Sequence, residues 1–541
     1  MKKRTLYYLI IVLTVVIATA FFVIEKTGVR KNEGRFSSLN NDSIEELISS
    51  KREDNSLSID LQFNGIPLFY DKDAKTYYYS VPEQGTEAYD PLVSWESNNI
   101  GICFENKKID SELISSNDSI RILIYDANRY SECKLKCTTL PLINIDKFYD
   151  APSFTYDKSV ITFYDNRNGM YESYNGQVRI RGGLTAELPK PGLRIELDKL
   201  LKGDNNTDEK YYDIFGLERD NEFVLYTCNV EKDHIRNVFS TNLWYDTCAD
   251  DNSFGLKAGM SYRVCEVFMN GKYWGLCALG NPISEKRGYV DLNENSDKYL
   301  LENIYKLNFF GDRELLDYER YGNDYFFAIK TNEDKKEAWK PYTDFIHLLA
   351  ESDDKDKLYN SVDLDNALDI YLFYGMIQAW DNAWYEDNLK FRNTYLISKV
   401  DDDGNIRMIY VPWDLDRSWG HCREDGLEYP MDYTFDYPMV VTPIENLLAL
   451  NDGKIKKLLY EKYTQLRNNE WSDSSIFGML DLYEKQIYGS GAFFRDKERW
   501  PENYHDDNKD LSLFKEYVKK RIAYYDEYVA DTFGNDIMEK N

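Results

Sequence analysis

The chain has no Cys-x-x-Cys pair and only four His in 541 residues, which removes the ligand spacing of structural zinc sites. It also lacks basic residues in excess: 66 Lys and Arg stand against 94 Asp and Glu, a formal net charge of −28. Such a chain repels a polyanion overall, which argues against nucleic acid as a partner; an acidic surface favours solubility and basic partners. No internal repeat is present. Long hydrophobic runs are missing, with one exception. Leu6–Ile24 carries no charge and follows Lys2, Lys3 and Arg4; at about 1.5 Å per residue it spans roughly 28 Å, close to the hydrocarbon core of a bilayer. It reads as an uncleaved membrane anchor (residues 1–24). Ala18-Thr19-Ala20 offers the rival reading of a cleavable signal sequence. The expected location is extracytoplasmic and membrane-anchored, or secreted if the segment is cleaved.

What is there is material for packed cores: 43% hydrophobic and 15% aromatic residues, including 45 Tyr. So many Tyr suit strand-rich packing first and carbohydrate-contacting surfaces second. Of the eight Cys, Cys265 and Cys277 sit in apolar strand-like runs and read as buried free thiols. Cys133 and Cys137 would pair only across a bend.

Residues 25–56 are polar and read as a linker. Residues 57–145 alternate in short runs (58–63, 76–81, 100–104, 120–125, 133–140) and read as a β-rich accessory domain. Strands continue through 146–300: Val178-Arg179-Ile180-Arg181 alternates, and Asn270-Gly271 between two apolar runs signals a hairpin. Helical periodicity dominates 301–541, with helices expected at 336–349, 364–380 (capped by Asp363), 455–467 and 513–528.

One hairpin interrupts the helical half and carries the candidate chemistry. The 364–380 helix stops at Asp381. A polar loop reaches Asp387-Asn388, a strand follows through Tyr395 and Ile397, Asp401–Gly404 turns, and Ile406–Pro412 returns, ending at Asp414 and Asp416. Folding the hairpin near residue 403 brings Asp381, Asp387, Asn388, Asp414 and Asp416 together. Crowded carboxylates repel one another; a divalent cation removes the conflict and leaves positions for substrate phosphates. In isolation Asp381 and Asp387 also read as ordinary loop residues. In the first half, QVRIRGGLTAELPKPGLRIEL offers two Gly and the cations Arg181, Lys190 and Arg194, a loop suited to phosphates; an exposed basic hairpin face is the plain alternative. Loop, hairpin, then metal-binding Asp is also the order in protein kinases.

These stretches, with His234-Ile235-Arg236-Asn237, EVFMNGKYWGL (266–276), DNAWYEDNLKF (381–391) and VPWDLDRSWG (411–420), resemble the CotH kinase family, named for spore-coat protein H. The resemblance implies an α+β, divergent bilobal kinase-like module. Residues 146–300 would form a strand-rich N-lobe and 301–541 a helical C-lobe, preceded by the β-rich domain and the membrane segment. It implies transfer of phosphate from ATP, with Mg²⁺ or Mn²⁺, to Ser or Thr of a protein substrate such as a coat or cell-surface protein. Lys190 would contact nucleotide phosphates and Arg181 would shape the loop. Asp381 would orient the acceptor hydroxyl, and Asn388 with Asp414 or Asp416 would bind metal. Arg236 matches a family position of unclear role. Three features differ from the family pattern: Asn281 in place of a Glu, GGLTAE in place of a Ser-rich loop, and a longer 381–388 spacing that makes Asp387 the other candidate acid. A catalytically degenerate surface protein binding cell-wall or polysaccharide ligands is the second expectation, and a two-carboxylate glycoside hydrolase the third.

Overall fold

The computed structural model describes residues 31–36, 38–82, 89–149, 152–200, 211–229, 231–307, 327–329, 331–332, 335–383, 393–421, 430, 432, 442–504 and 509–534. The apolar run 6–24, Asp387 and Asn388 lie outside these residues. Among the described residues no helix is long and apolar enough to cross a membrane.

The expected linker is folded from Lys31 onward. Lys31–Arg35 pairs antiparallel with Leu92–Glu96, and Asn41–Ile48 is a helix whose N-terminus is capped by the Asn40 side chain, which accepts from Ser43 N. The polar composition misled because the segment lies on the surface: only Ile44 of that helix is buried, against Cys103 and Leu123. Two sheets come next, one of four strands and one in which Gly101–Glu105, Ile120–Tyr125, Arg129–Thr138 and Thr76–Ser80 lie side by side. Their core of Phe63, Tyr79, Phe104, Ile122 and Leu135 continues into Leu142, Tyr164, Phe268 and Tyr273, residues of the next unit. The β domain and that unit therefore share one core.

That unit is a closed seven-stranded barrel. Its first strand, Leu142–Lys147, starts inside the range read from sequence as the accessory domain. It pairs antiparallel with Asp157–Asp165 and parallel with Tyr262–Met269, which closes the barrel. The alternation at 178–181 is realised in the strand Met170–Arg181: Val178 and Ile180 point into the barrel core, so Arg179 and Arg181 point out. Asn270 and Gly271 join Tyr262–Met269 to Lys272–Gly280 with φ of 52° and 68°, the left-handed pair a tight hairpin turn requires.

The helices include α1 (Arg236–Thr247), α2 (Leu364–Ile377), α3 (Trp380–Ala383), α4 (Ala492–Arg499) and α5 (Ser512–Val529). The Asp363 side chain caps α2 by accepting from Asn366 N. The helical half contains more sheet than its periodicity suggests. Ile304–Leu307 and Phe327–Ile329 join the hairpin strands Thr394–Val400 and Ile406–Pro412 in one four-stranded sheet.

Helix α4 locks the parts together with two consecutive buried charges. Arg495 makes a bidentate pair with Glu266 of the barrel at 2.8 Å and reaches Cys137 O and Asn117 Oδ1 of the β domain. Asp496 Oδ1 accepts from Lys190 Nζ at 2.7 Å and from Leu276 N at 2.7 Å. The approach is so close that a Cβ at Gly275, whose φ is 132°, would overlap Asp496 Oδ1. The seven described Cys are free and buried, with Cys265 directly across from Cys277 in the barrel.

Asp496→Ala leaves the Lys190 ammonium buried without its counter-charge. Stability should fall by about 3–5 kcal/mol, while a joint Lys190→Met/Asp496→Leu replacement recovers most of the loss. Urea unfolding of the full chain measures both, and equal losses in the two variants would rule this account out.

Candidate functional site

A cleft of about 710 Å³ opens between one end of the barrel and the end of the 394–412 hairpin. Arg179, Arg181, Gly182 and Arg194 line its barrel side; Asp381, Trp413, Asp414 and Asp416 line the other.

The hairpin register builds the acidic side. Thr394 pairs with Pro412, so Asn393 and Trp413 meet, and Trp413 N donates to Asn393 O at 2.9 Å. Helix α2 ends at Gln378, in the left-handed region at φ 54°, which redirects the chain into α3. There Asn382 Nδ2 donates to both Asn393 O (2.8 Å) and Trp413 O (2.9 Å), bridging the two hairpin ends. Asp381 Oδ2 accepts from Asn393 Nδ2 at 3.1 Å. Asp414 then leaves the strand at φ 57°, a conformation that Asp tolerates better than most residues, and Asn237 Nδ2 donates to its Oδ1 at 3.4 Å.

Asp416 is 7% exposed, and no hydrogen-bond donor among the described residues reaches its carboxylate. Burial pushes its pKa well up, and the carboxylates of Asp414, Glu231 and Asp381 add to that against the opposing Arg417. A buried acid crowded by acids, with no donor among the described residues, fits a cation. The oxygens are hard ligands, so the fit is to Mg²⁺ or Mn²⁺ rather than to a thiolate-seeking metal. Among the described residues no three His, Cys, Asp or Glu side chains form a ready-made metal cage.

Several of the cleft's cations lie over aromatic rings. Arg181 stands 5.3 Å and Lys306 5.8 Å from the centre of the Trp413 ring, so one ring touches cations from both halves of the module. Arg417 stands over Trp380 at 5.2 Å. Arg181 makes no ion pair among the described residues, whereas Arg194 is paired with Glu222.

The structure therefore places Asp381, Asp414, Asp416, Arg181 and Arg194 around one cleft. Lys190 is corrected. It is 0% exposed, and its three N–H bonds are taken by Thr227 O (3.1 Å), Leu276 O (2.6 Å) and Asp496 Oδ1 (2.7 Å). Burial disfavours its charge, but Asp496 outweighs that and raises the pKa. A saturated ammonium has nothing left for phosphate; in sequence the GG-x₆-K spacing looked like a phosphate loop because its partner lies on a distant helix. Asn281 is also buried and donates to Glu218 O at 3.0 Å.

Sequence reasoning missed Glu231, Lys306 and Arg417. Glu231 is buried, accepts from Tyr226 Oη at 2.6 Å and Asn237 N at 3.0 Å, and also from Arg236 N. Burial lifts its pKa to about 7 against those donors. No spacing around it gives a signal.

The family model described as CotH kinase protein matches residues 178–525, well over half of the chain. The chain belongs to the CotH kinase family. No individual curated protein matches it. The CotH match begins at Val178, in the strand that delivers Arg181 to the cleft, and ends within α5, so it includes both sides of the cleft and the α4 lock. Membership gives the chain a kinase-related function, for which ATP is in general the phosphate source.

His234, at the entry to α1, stacks on Tyr504 at 4.3 Å and is held neutral: burial pulls its pKa down to about 4, against the opposing charge of Asp496. A folded pKa below the unfolded value of about 6.5 means that the unfolded chain binds the extra proton. The folded state thus loses stability as pH falls from about 6.5 towards 4, by up to roughly 3 kcal/mol. His234→Gln should gain in Tm relative to the parent as pH drops from 7 to 4.5. Taking the difference between the two proteins removes Glu231, which titrates in the opposite sense. A pH-independent difference would contradict this assignment.

Proposed function

We propose that this CotH-family chain is a metal-dependent atypical protein kinase. It transfers phosphate from ATP to a Ser or Thr hydroxyl of a protein substrate, a coat or cell-surface protein being the expected kind, and it works outside the cytoplasm on a membrane anchor or as a secreted protein. The observation that carries this reading is one cleft lined by Asp381, Asp414 and Asp416, with Lys306 and Arg417 beside them on the hairpin side and Arg181 on the barrel side. Acids alone would repel a nucleotide and cations alone would not organise a metal; the pairing suits a metal–triphosphate.

Asp414 and Asp416 would hold the divalent ion, which supplies charge neutralisation of the phosphate oxygens. Asn388 would contribute a further oxygen from outside the described residues. Arg181 would direct its guanidinium at the phosphates while Trp413 supports its face, and Lys306 would add a second cation near the same ring. Asp381, fixed by Asn393, orients the acceptor hydroxyl and takes its proton; Asp387 is the alternative for that step. Lys190 has no place in this scheme. Its full engagement favours the second reading, a degenerate kinase-like surface protein binding cell-wall or polysaccharide ligands.

Thermal shift with ATP, with and without Mg²⁺ or Mn²⁺, separates the two readings. At a hundredfold excess over Kd the metal–nucleotide should stabilise the chain by about 2.7 kcal/mol, and Asp414→Ala should abolish the gain. Asp381→Asn should retain binding yet slow transfer of labelled γ-phosphate to protein by about a hundredfold or more. If Asp387→Asn has that effect instead, the proton acceptor is Asp387. Absence of any metal-dependent nucleotide binding would end the kinase reading.

A further inference from the structure

The motif His234-Ile235-Arg236-Asn237 supplies nothing to the cleft lining, yet its Arg236 and Asn237 side chains reach the loop that carries two of the cleft's acids. We infer that Arg236 and Asn237 of this motif position the Asp414–Trp419 loop, with Asn237 the positioning residue for Asp414. This role builds on the kinase reading for its effect on metal binding, and on geometry alone for its effect on the loop.

Asn237 is fully buried and spends its amide on the loop. Its Oδ1 accepts from Leu415 N at 2.9 Å, and its Nδ2 donates to Asp414 Oδ1 at 3.4 Å. Thr241, one turn further along α1, donates to the same Oδ1 at 3.1 Å and fixes the side chain. The adjacent Arg236 grips the other end of the loop: its Nη1 donates to Trp419 O at 2.9 Å and Ser418 O at 3.4 Å, while its Nε is held by Asp233 at 2.6 Å. Ser240 completes the grip, sharing a hydrogen bond with Ser418 Oγ at 3.0 Å and accepting from Trp419 Nε1 at 3.0 Å. The side chains at 236, 237 and 240 thus reach the loop together from one end of α1.

The gripped loop needs holding. Asp414 and Trp419 have φ of 57° and 50°, a region that non-glycine residues keep only when their surroundings impose it. The residue types also suit the task. An amide at 237 fixes the direction of the Asp414 carboxylate without cancelling its charge. A Lys in that place would satisfy the carboxylate and compete with a cation. Arg236, which does carry charge, points to the backbone carbonyls at the far end of the loop.

Two measurements on the full chain test this. In hydrogen exchange without ligand, Asn237→Ala should speed exchange at Leu415 by about tenfold or more, because the amide loses its acceptor. In thermal shift with ATP, the Mg²⁺ midpoint should rise by at least about tenfold, the size typical of losing an outer-shell partner of a metal ligand. Asn242→Ala is the control. Asn242 is buried on the same helix but bonds Tyr262 N (2.7 Å) and Tyr262 O (3.0 Å) in the barrel, so Tm should fall with neither readout moving. If Asn237→Ala does not fold, Thr241→Val should shift both readouts in the same direction by less. Lowered Tm with parent-like Leu415 exchange and Mg²⁺ midpoint would overturn the proposal and leave Asn237 a merely structural residue. If the parent chain shows no Mg²⁺-dependent shift, the kinase reading fails by itself, and Leu415 exchange still decides the positioning role.

Discussion

Arg495 and Asp496 are neighbours on one short helix near the C-terminus, and both are buried. Arg495 reaches Glu266 and the β domain; Asp496 reaches Lys190 and the backbone of Leu276. Burying four charges is costly unless every donor and acceptor is matched. Here each charge has an opposite partner at 2.7–2.8 Å. The consequence is specificity of assembly: the barrel, the β domain and the C-terminal helices fit in one arrangement, because any slip strands a charge. Gly275 is part of that requirement, since its missing Cβ is the space that Asp496 occupies.

The cleft depends on this arrangement. Its acids and two of its cations, Lys306 and Arg417, come from the helical half, and Arg179, Arg181 and Arg194 come from the barrel, so the cleft is lined by both halves. Trp413 is the physical link, with Arg181 and Lys306 on it from opposite halves. The chain is strongly acidic as a whole, and the cleft concentrates cations where an anionic ligand would enter. The crowding of carboxylates that raises the Asp416 pKa is what a divalent ion would relieve under the proposed function. Fold and site are thus opposed in local energetics, as is common where function is stored.

Much of the scaffold was legible because its signals are local. The alternation at 178–181, the Asn270-Gly271 turn, the Asp363 cap and the hairpin turn at 401–404 each involve residues within a few positions of one another, and the structure has them where the pattern put them. The hairpin register, once fixed, also brought Asp381 to Asp414 without further information. The folded state of 31–56 was not legible, since a surface helix with one buried Ile has the composition of a linker. Neither was the strand Leu142–Lys147, whose partners in the barrel include a strand more than a hundred residues later.

Residue order alone therefore carries most of the strands and helices, the clustering of Asp381, Asp414 and Asp416, and the family motifs. All of these rest on short-range geometry and on residue identity. The use of each charge is settled only in three dimensions. Lys190 looks identical in sequence whether it faces a phosphate or Asp496, and its partner is 306 positions away. Glu231 and Asn237 reach the site only because α1 packs against the 414–419 loop. Electrostatic roles are set by distance and burial in space, and neither quantity is written in the order of the residues.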